Sequence, residues 1–199
     1  MGVCNIVNGI TANTAQHFLL DAGAFYKNYD FEKDTVETAK NKLIGATKGG
    51  GTFKAVPTFR TIEVDGARGK VKGSEILEDW EVELEANVIE VTAENLAMSL
   101  AISVTGDAKE GAYTKIEGRN CIKLSDYIEN ITWVGTLSGA NDPVVIQVFN
   151  ALNNKGIELK LEDKSEGVIP LAFTGYNDGQ DTSKPPFVIY FPTIPEERA

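Results

Sequence analysis

The chain has 199 residues, of which 42% are hydrophobic and 24% charged, with a net charge of −10. This length and composition are typical of one globular domain with a sizeable core, and we expect residues 1–199 to form a single domain. The acidic balance argues against free-standing nucleic acid binding, because duplex affinity depends on Lys and Arg neutralising phosphates.

The two cysteines, Cys4 and Cys121, lack metal-ligand spacing. The opening MGVCNIVNGI has neither the basic region nor the apolar core of a signal peptide, so we expect folding in a reducing cytosol. No apolar run approaches the roughly 20 residues needed to span a bilayer, and we expect no membrane association.

The predicted elements are mostly strands. In chain order, DTVETAKNKL (34–43) has capping-box spacing between Asp34 and Glu37, which weakly favours a helix. Thr92 is a suitable N-cap for a better-marked helix in AENLAMSLAI (93–102), with Leu96 and Leu100 on its apolar face. Alternation or turn-bounded apolar runs predict strands at 53–64, 81–91, 142–152, 156–163, 167–176 and 186–192.

The stretch TIEVDGARGKVKG (61–73) does not have the spacing of a phosphate-binding loop, because only two residues separate Gly66 from Gly69 and Val71 follows Lys70. Asp65-Gly66 is a favoured hairpin signal, so this stretch is expected to turn between or beyond strands.

The sequence contains few candidate catalytic residues. His17 is the one histidine, and its apolar neighbourhood favours a packed or surface side chain over a catalytic base. Metalloprotease, hydrolase and redox motifs are missing, and NDGQD (177–181) lacks the later residues of a calcium loop and indicates a turn. We therefore expect no enzymatic activity, no metal and no cofactor.

Charge is distributed unevenly along the first half of the chain. Residues 40–72 carry eight basic residues and two acids, whereas residues 73–108 carry nine acids and no Lys or Arg. Two solvated faces are the simpler explanation. The alternative is a pair of complementary surfaces that dock one copy onto another, since opposite potentials fix register between partners.

Several stretches together resemble the major tail tube protein of long-tailed bacteriophages. They are LDAGAFYKNYD (20–30), LIGATKGGGTFK (43–54), RTIEVDGARGKVKG (60–73), WEVELEANVIEVTAENLAMSL (80–100) and GVIPLAFTGYND with KPPFVIYFP towards the end. The resemblance covers nearly the whole chain and rests on the order and spacing of these stretches.

This resemblance implies a mainly β fold, a β-barrel or sandwich with one flanking α-helix and a long glycine-rich basic loop. It also implies hexameric rings stacked into a tube that conducts genomic DNA into the host. The partners would be other copies of the chain, the tape measure protein, the tail terminator and distal tail proteins, while DNA passes without specific binding. The protein would be made in the host bacterial cytoplasm and reside in the virion tail, and we expect no C-terminal immunoglobulin-like domain.

Two sets of residues are expected to have a role in the tube, one in docking between subunits and one in the channel. The basic loop would dock onto a neighbouring subunit or ring, with glycines 49–51 giving it conformational freedom. Its docking residues would be Lys48, Arg60, Arg68, Lys70 and Lys72. The acidic strand face of Glu81, Glu83 and Glu85 must be exposed to water or paired with cations. We expect it to line the channel, and the alternatives are the exterior of the tube and a contact with the basic loop of a neighbouring copy.

Other functions remain open at this stage. The same tube could belong to a phage-tail-like bacteriocin or a secreted injection system, or could sit inside a contractile sheath. A carbohydrate-binding β-sandwich would also be acidic and strand-rich. Such a protein should present exposed aromatic rings, whereas Trp80 and Trp133 lie in strand-like contexts where we expect burial.

Overall fold

A computed structural model describes residues 9–11, 13–66, 68–161, 163 and 166–194. Within these residues, α1 spans Ala93–Leu100 and short 3-10 helices span Thr14–His17, Thr38–Lys42 and Leu124–Asp126. The strands are β1 (Ala24–Lys27), β2 (Thr47–Thr61), β3 (Glu75–Val88), β4 (Ser103–Ala108), β5 (Tyr113–Gly118), β6 (Ile128–Gly135), β7 (Val144–Asn153), β8 (Ile169–Thr174) and β9 (Phe187–Tyr190). The predicted mainly β class is confirmed.

The strands form one large antiparallel sheet in the order β1-β6-β7-β8-β3-β2, with β9 added to β7. Strand β7 pairs with β6 along most of its length but reaches β8 only through Leu152 and Asn153. It thus links two groups of strands, β1-β6-β7-β9 and β8-β3-β2, in a sandwich-like arrangement. The path ends at β1 and β2, so the described residues form no closed barrel. Strands β4 and β5 form a separate hairpin.

The core lies where the period-two pattern of β3 predicts it. Val82, Leu84 and Ala86 are buried, while the glutamates between them face the other way. They pack in a cluster with apolar side chains from β1, β6, β7 and β8, including Phe25, Ile131, Val148, Leu171 and Phe173. Burying each large side chain of this kind contributes about 1.5–3 kcal/mol.

Most of the other strand predictions are also confirmed. The predicted segments 53–64, 81–91, 142–152, 167–176 and 186–192 overlap β2, β3, β7, β8 and β9. The strand predicted at 156–163 is wrong over the residues described there, since 156–161 have no regular structure and Leu161 is 91% exposed. The strands that flank this segment in the chain are already paired, β7 with β6, β8 and β9, and β8 with β3 and β7.

Helix α1 begins as predicted but buries different side chains. Thr92 is the N-cap, and its Oγ1 accepts a hydrogen bond from the Asn95 N–H at 3.1 Å. Leu96 and Leu100 are only half-buried, whereas Asn95 and Ser99 are buried. The reason lies in the backbone beneath the helix, where Asn95 Nδ2 donates to the carbonyl oxygens of Ile44 (3.0 Å) and Glu90 (2.9 Å).

The helix predicted at 34–43 is reduced to a 3-10 turn over Thr38–Lys42. Glu37 precedes this turn without a side-chain capping bond. The Asp34 carboxylate instead accepts hydrogen bonds from the Asp30 N–H (2.8 Å) and Lys42 Nζ (2.5 Å), which closes a local loop. The capping-box spacing therefore predicted the turn but not an α-helix.

Candidate inter-subunit surface

Strands β2 and β3 form a long hairpin that extends past the rest of the sheet. Their pairing runs from Thr47 opposite Val88 to Thr61 opposite Glu75. Strand β8 pairs with β3 only from Glu83 to Val88, and the Gly175 N–H reaches as far as the Val82 carbonyl. Residues 56–81, which we call the distal hairpin, therefore form a ribbon of two strands and their connecting loop.

The distal hairpin exposes many large apolar side chains. Both strands and the loop contribute them, namely Val56, Phe59, Ile62, Val64, Val71, Ile76 and Leu77. An isolated two-stranded hairpin is marginally stable in water, and contiguous exposed apolar surface marks an interaction site. The distal hairpin is thus a candidate interaction surface.

The sequence carries a signal for these exposed apolar residues that the charge pattern alone does not show. In 53–64, apolar side chains occur on both faces of the strand, since Val56 and Ile62 share a parity with Lys54 and Arg60. A strand that is apolar on both faces is expected to be covered on both sides. Within the described residues of one copy, the outer part of β2 keeps Val56 and Phe59 exposed.

The outer edge of β2 is also open. Strand β3 is its one partner among the described residues, so its other side presents a row of unpaired backbone groups. Pro57, which cannot donate a backbone hydrogen bond, is compatible with such an edge position. Trp80 anchors the base of the ribbon, with its ring centroid 5.3 Å from that of Phe187 in a T-shaped contact.

The predicted docking residues lie along this hairpin, but most of them already have partners in the same chain. Lys48 contacts Glu166 at 2.7 Å, Arg60 contacts Glu78 at 2.8 Å and Lys70 contacts Glu75 at 3.0 Å. Arg68 and Lys72 form no ion pair with any described residue.

The charge inversion along the sequence is therefore satisfied in part within one chain. An antiparallel hairpin places the basic strand directly beside the acidic one. These pairs are exposed, so each contributes little to stability, and those between β2 and β3 are compatible with the observed strand register.

The glycines expected to make the segment flexible have an ordered role instead. Gly49 (φ 81°) and Gly50 (φ 71°) lie in β2 at an irregularity between the pairs Thr47–Val88 and Gly51–Ala86. A Cβ on Gly51 would lie 2.1 Å from the Glu85 carbonyl oxygen and 2.5 Å from Phe25 Cζ. These positions therefore serve a strand bulge and a close packing contact.

The three predicted channel residues lie side by side on the face of β3 opposite the core, and all three are paired within the chain. Lys54 Nζ lies 2.6 Å from Glu81. Lys155 Nζ lies 2.7 Å from Glu83 and 2.6 Å from Glu85, and hydrogen bonds to these carboxylates raise the pKa of Lys155. Three glutamates and two lysines give this group a net charge of −1.

The other residues considered for chemistry lie apart from this surface. His17 is exposed at the end of the first 3-10 helix, and Asp178–Asp181 form a turn as predicted. Trp133 is buried as expected, with its Nε1 donating to the Ala22 carbonyl at 2.8 Å. Trp80, at the base of the distal hairpin, lies in a strand as expected but is only half-buried. Among the described residues, no group of His, Cys, Asp and Glu is arranged to hold a metal ion.

Cys4 and residues 195–199 lie outside the described part of the chain. None of the helices in the described ranges combines the length and apolar character required to cross a bilayer. No family model matches the chain, and a search of curated proteins finds no significant relative.

Proposed function

We propose that this chain is a structural subunit that polymerises through the distal hairpin into stacked hexameric rings, forming a phage tail tube. The observation that carries the proposal is the uncovered ribbon itself, with apolar side chains on both strands and an open β2 edge. A monomer leaves this surface in water, whereas docking on another copy would bury it. The sequence resemblance to tail tube proteins supplies the expected form of the assembly.

The open β2 edge supports ring formation as well. Strand β1, at the other end of the sheet path, is already bridged on its outer side by Leu43, just before β2 begins, so a copy that docks on the β2 edge would do so through another surface. A contact between two different surfaces is head-to-tail and repeats until a ring closes or a filament grows. In a virion, such a tube would also meet the tape measure protein, the tail terminator and distal tail proteins.

The assembly proposal is tested by shortening the hairpin. Replacing residues 59–78 by Asn-Gly would join Thr58 to its partner Asp79 through a favoured two-residue turn and retain Trp80. We expect the wild-type protein to form rings or tubes in negative-stain images on concentration or seeding, and the shortened protein to stay monomeric with native circular dichroism. Tubes formed by the shortened protein would refute the role of the distal hairpin, and a wild-type protein that remained monomeric under all these conditions would refute assembly.

The face bearing Glu81, Glu83 and Glu85 is proposed to line the channel. Duplex DNA carries about one negative charge per 1.7 Å of axis, so a basic wall would retain it whereas a net acidic wall would not. Repeated around a ring, even a small net negative charge per copy becomes a circular band of repulsion.

Changing all three glutamates to Lys tests this orientation. The change would leave Lys54 and Lys155 without partners and make the face strongly basic. We expect assembled virions to eject DNA more slowly, with a larger defect at low salt because screening weakens attraction. Normal ejection rates at low salt from assembled particles would show that this face lies elsewhere. A failure to assemble would instead place these residues at a subunit contact.

A further inference from the structure

An aromatic groove lies beside the start of β7 and the end of β9. It has a volume of about 600 Å³ and is bordered by residues 29–37, the start of β7 and the residues at the end of β9. Phe31 and Tyr190 stack on each other at a centroid distance of 3.6 Å and form part of its wall. Val36 and Phe191 are exposed beside them. We call this feature the aromatic groove.

The aromatic groove is acidic. Of its carboxylates, Asp34 is engaged by Lys42, but Glu37 and Asp142 are exposed and form no ion pair with a described residue. No Lys or Arg is among the residues that line it. The groove therefore combines exposed apolar surface with two uncompensated negative charges.

The tip of the distal hairpin has the complementary chemistry. In the β2–β3 loop, Arg68 and Lys72 are exposed cations without an ion-pair partner among the described residues, and Val64 and Val71 are exposed apolar side chains. The two acids of this loop, Glu63 and Asp65, are also exposed and lie before Gly66, on the β2 side of the turn, whereas both cations follow it. Two cations beside apolar side chains match two carboxylates beside aromatic rings. Complementary potentials of this kind direct docking and suppress incorrect pairings.

We propose that the aromatic groove of one copy receives the hairpin tip of a second copy, with Arg68 and Lys72 of the tip facing Glu37 and Asp142 of the groove. This inference rests on the proposed assembly and assigns the acceptor surface for its projecting hairpin. The tip belongs to the β2–β3 connection and the groove to β1, β7 and β9 and their flanking residues, so the two surfaces do not overlap. Every copy can thus donate a tip and accept one, as a head-to-tail polymer requires.

Charge reversal on each side tests the pairing. The tip variant is Arg68→Glu with Lys72→Glu, and the groove variant is Glu37→Lys with Asp142→Lys. Each alone sets like charges against each other at every contact. We expect its critical concentration for assembly to rise by about tenfold or more, which is about 1.4 kcal/mol per contact. A tip control, Lys123→Glu with Lys160→Glu, changes net charge equally at exposed sites elsewhere and should assemble normally.

Mixing the two variants provides the decisive measurement. In an equimolar mixture, each reversed tip can dock into a reversed groove and each unchanged tip into an unchanged groove, so alternating polymers should form. Sedimentation should show assembly close to the wild-type concentration, although neither variant assembles there alone. A purely structural defect in either variant would not be repaired in this way.

The possible outcomes separate this inference from the proposed function. If the tip variant is impaired but the groove variant assembles normally, the hairpin docks elsewhere and the aromatic groove is not its acceptor. Impairment of both without rescue on mixing, or of neither, also overturns the pairing. If the wild-type protein does not assemble under any condition, the proposed function fails, and this inference fails with it.

Discussion

Replacing Phe59 with Ser should weaken assembly far more than it weakens the fold. Phe59 is paired with Leu77 across the distal hairpin and is 54% exposed. For an aromatic residue of about 200 Å², this fraction leaves about 110 Å² in contact with water. Covering that area completely at about 25 cal/mol per Å² would contribute about 2.7 kcal/mol to each contact. This corresponds to nearly 100-fold in the dissociation constant of one contact.

The assay is the critical concentration for assembly, measured by light scattering and sedimentation. Phe18→Ser is a matched control, because Phe18 is 51% exposed and lies outside the hairpin. The thermal unfolding midpoint of the Phe59→Ser monomer should remain close to wild type. If Phe59→Ser assembles at the wild-type concentration, the apolar surface of the distal hairpin is not buried on assembly and the argument from its exposure is wrong.

Three further predictions concern the isolated fold. Gly51→Ala should destabilise the protein by about 1–3 kcal/mol in urea unfolding, because its Cβ would overlap neighbouring atoms, whereas Gly106→Ala, with no atom within 4 Å of the new Cβ, should have little effect. Asn95→Ala should cost about 1–3 kcal/mol, because it leaves two carbonyl groups without their donor; a change below about 0.5 kcal/mol would mean that water replaces the amide. The Asp30 N–H, and then Lys42, hold the pKa of Asp34 below its ordinary value of 3.8. The ionised carboxylate therefore stabilises the fold at pH values above 3.8, and this contribution is lost as the pH falls through the lowered pKa. Asp34→Asn should lower the thermal unfolding midpoint at neutral pH but make that midpoint less sensitive to acid. Equal acid sensitivity in both proteins would contradict that assignment.

The sequence predicted the elements whose pattern depends on local periodicity. The alternation around Val82 and Leu84 predicts a half-buried strand because one face of β3 does pack on the core. The same alternation failed at 156–161, since a pattern cannot show whether the sheet has a free partner for the segment. The N-cap Thr92 was recognisable because its hydrogen bond reaches only three residues along the chain.

Features that depend on contacts between residues far apart in the chain could not be predicted from the sequence. Asn95 is buried because of the Ile44 carbonyl, which lies 51 residues away in the chain. The basic and acidic segments suggested a contact between copies, but the register of β2 and β3 places Arg60 beside Glu78 within one copy. The aromatic groove could not be predicted from the sequence either, because the residues that line it come from three separate parts of the chain.

The contact made by Asn95 has a mechanical consequence for the projecting hairpin. Ile44 precedes β2 and Glu90 follows β3, so one amide group joins the two ends of the hairpin where it enters the body of the protein. Two further hydrogen bonds join the same two ends of the hairpin, one from the Ala46 N–H to Glu90 Oε1 and one from the Ile89 N–H to the Ala46 carbonyl. A load applied at the tip meets a stiff base and a thin, unsupported ribbon. Bending should therefore concentrate in residues 56–61 and 75–81, the two strand segments between the hydrogen-bonded base of the hairpin and its loop.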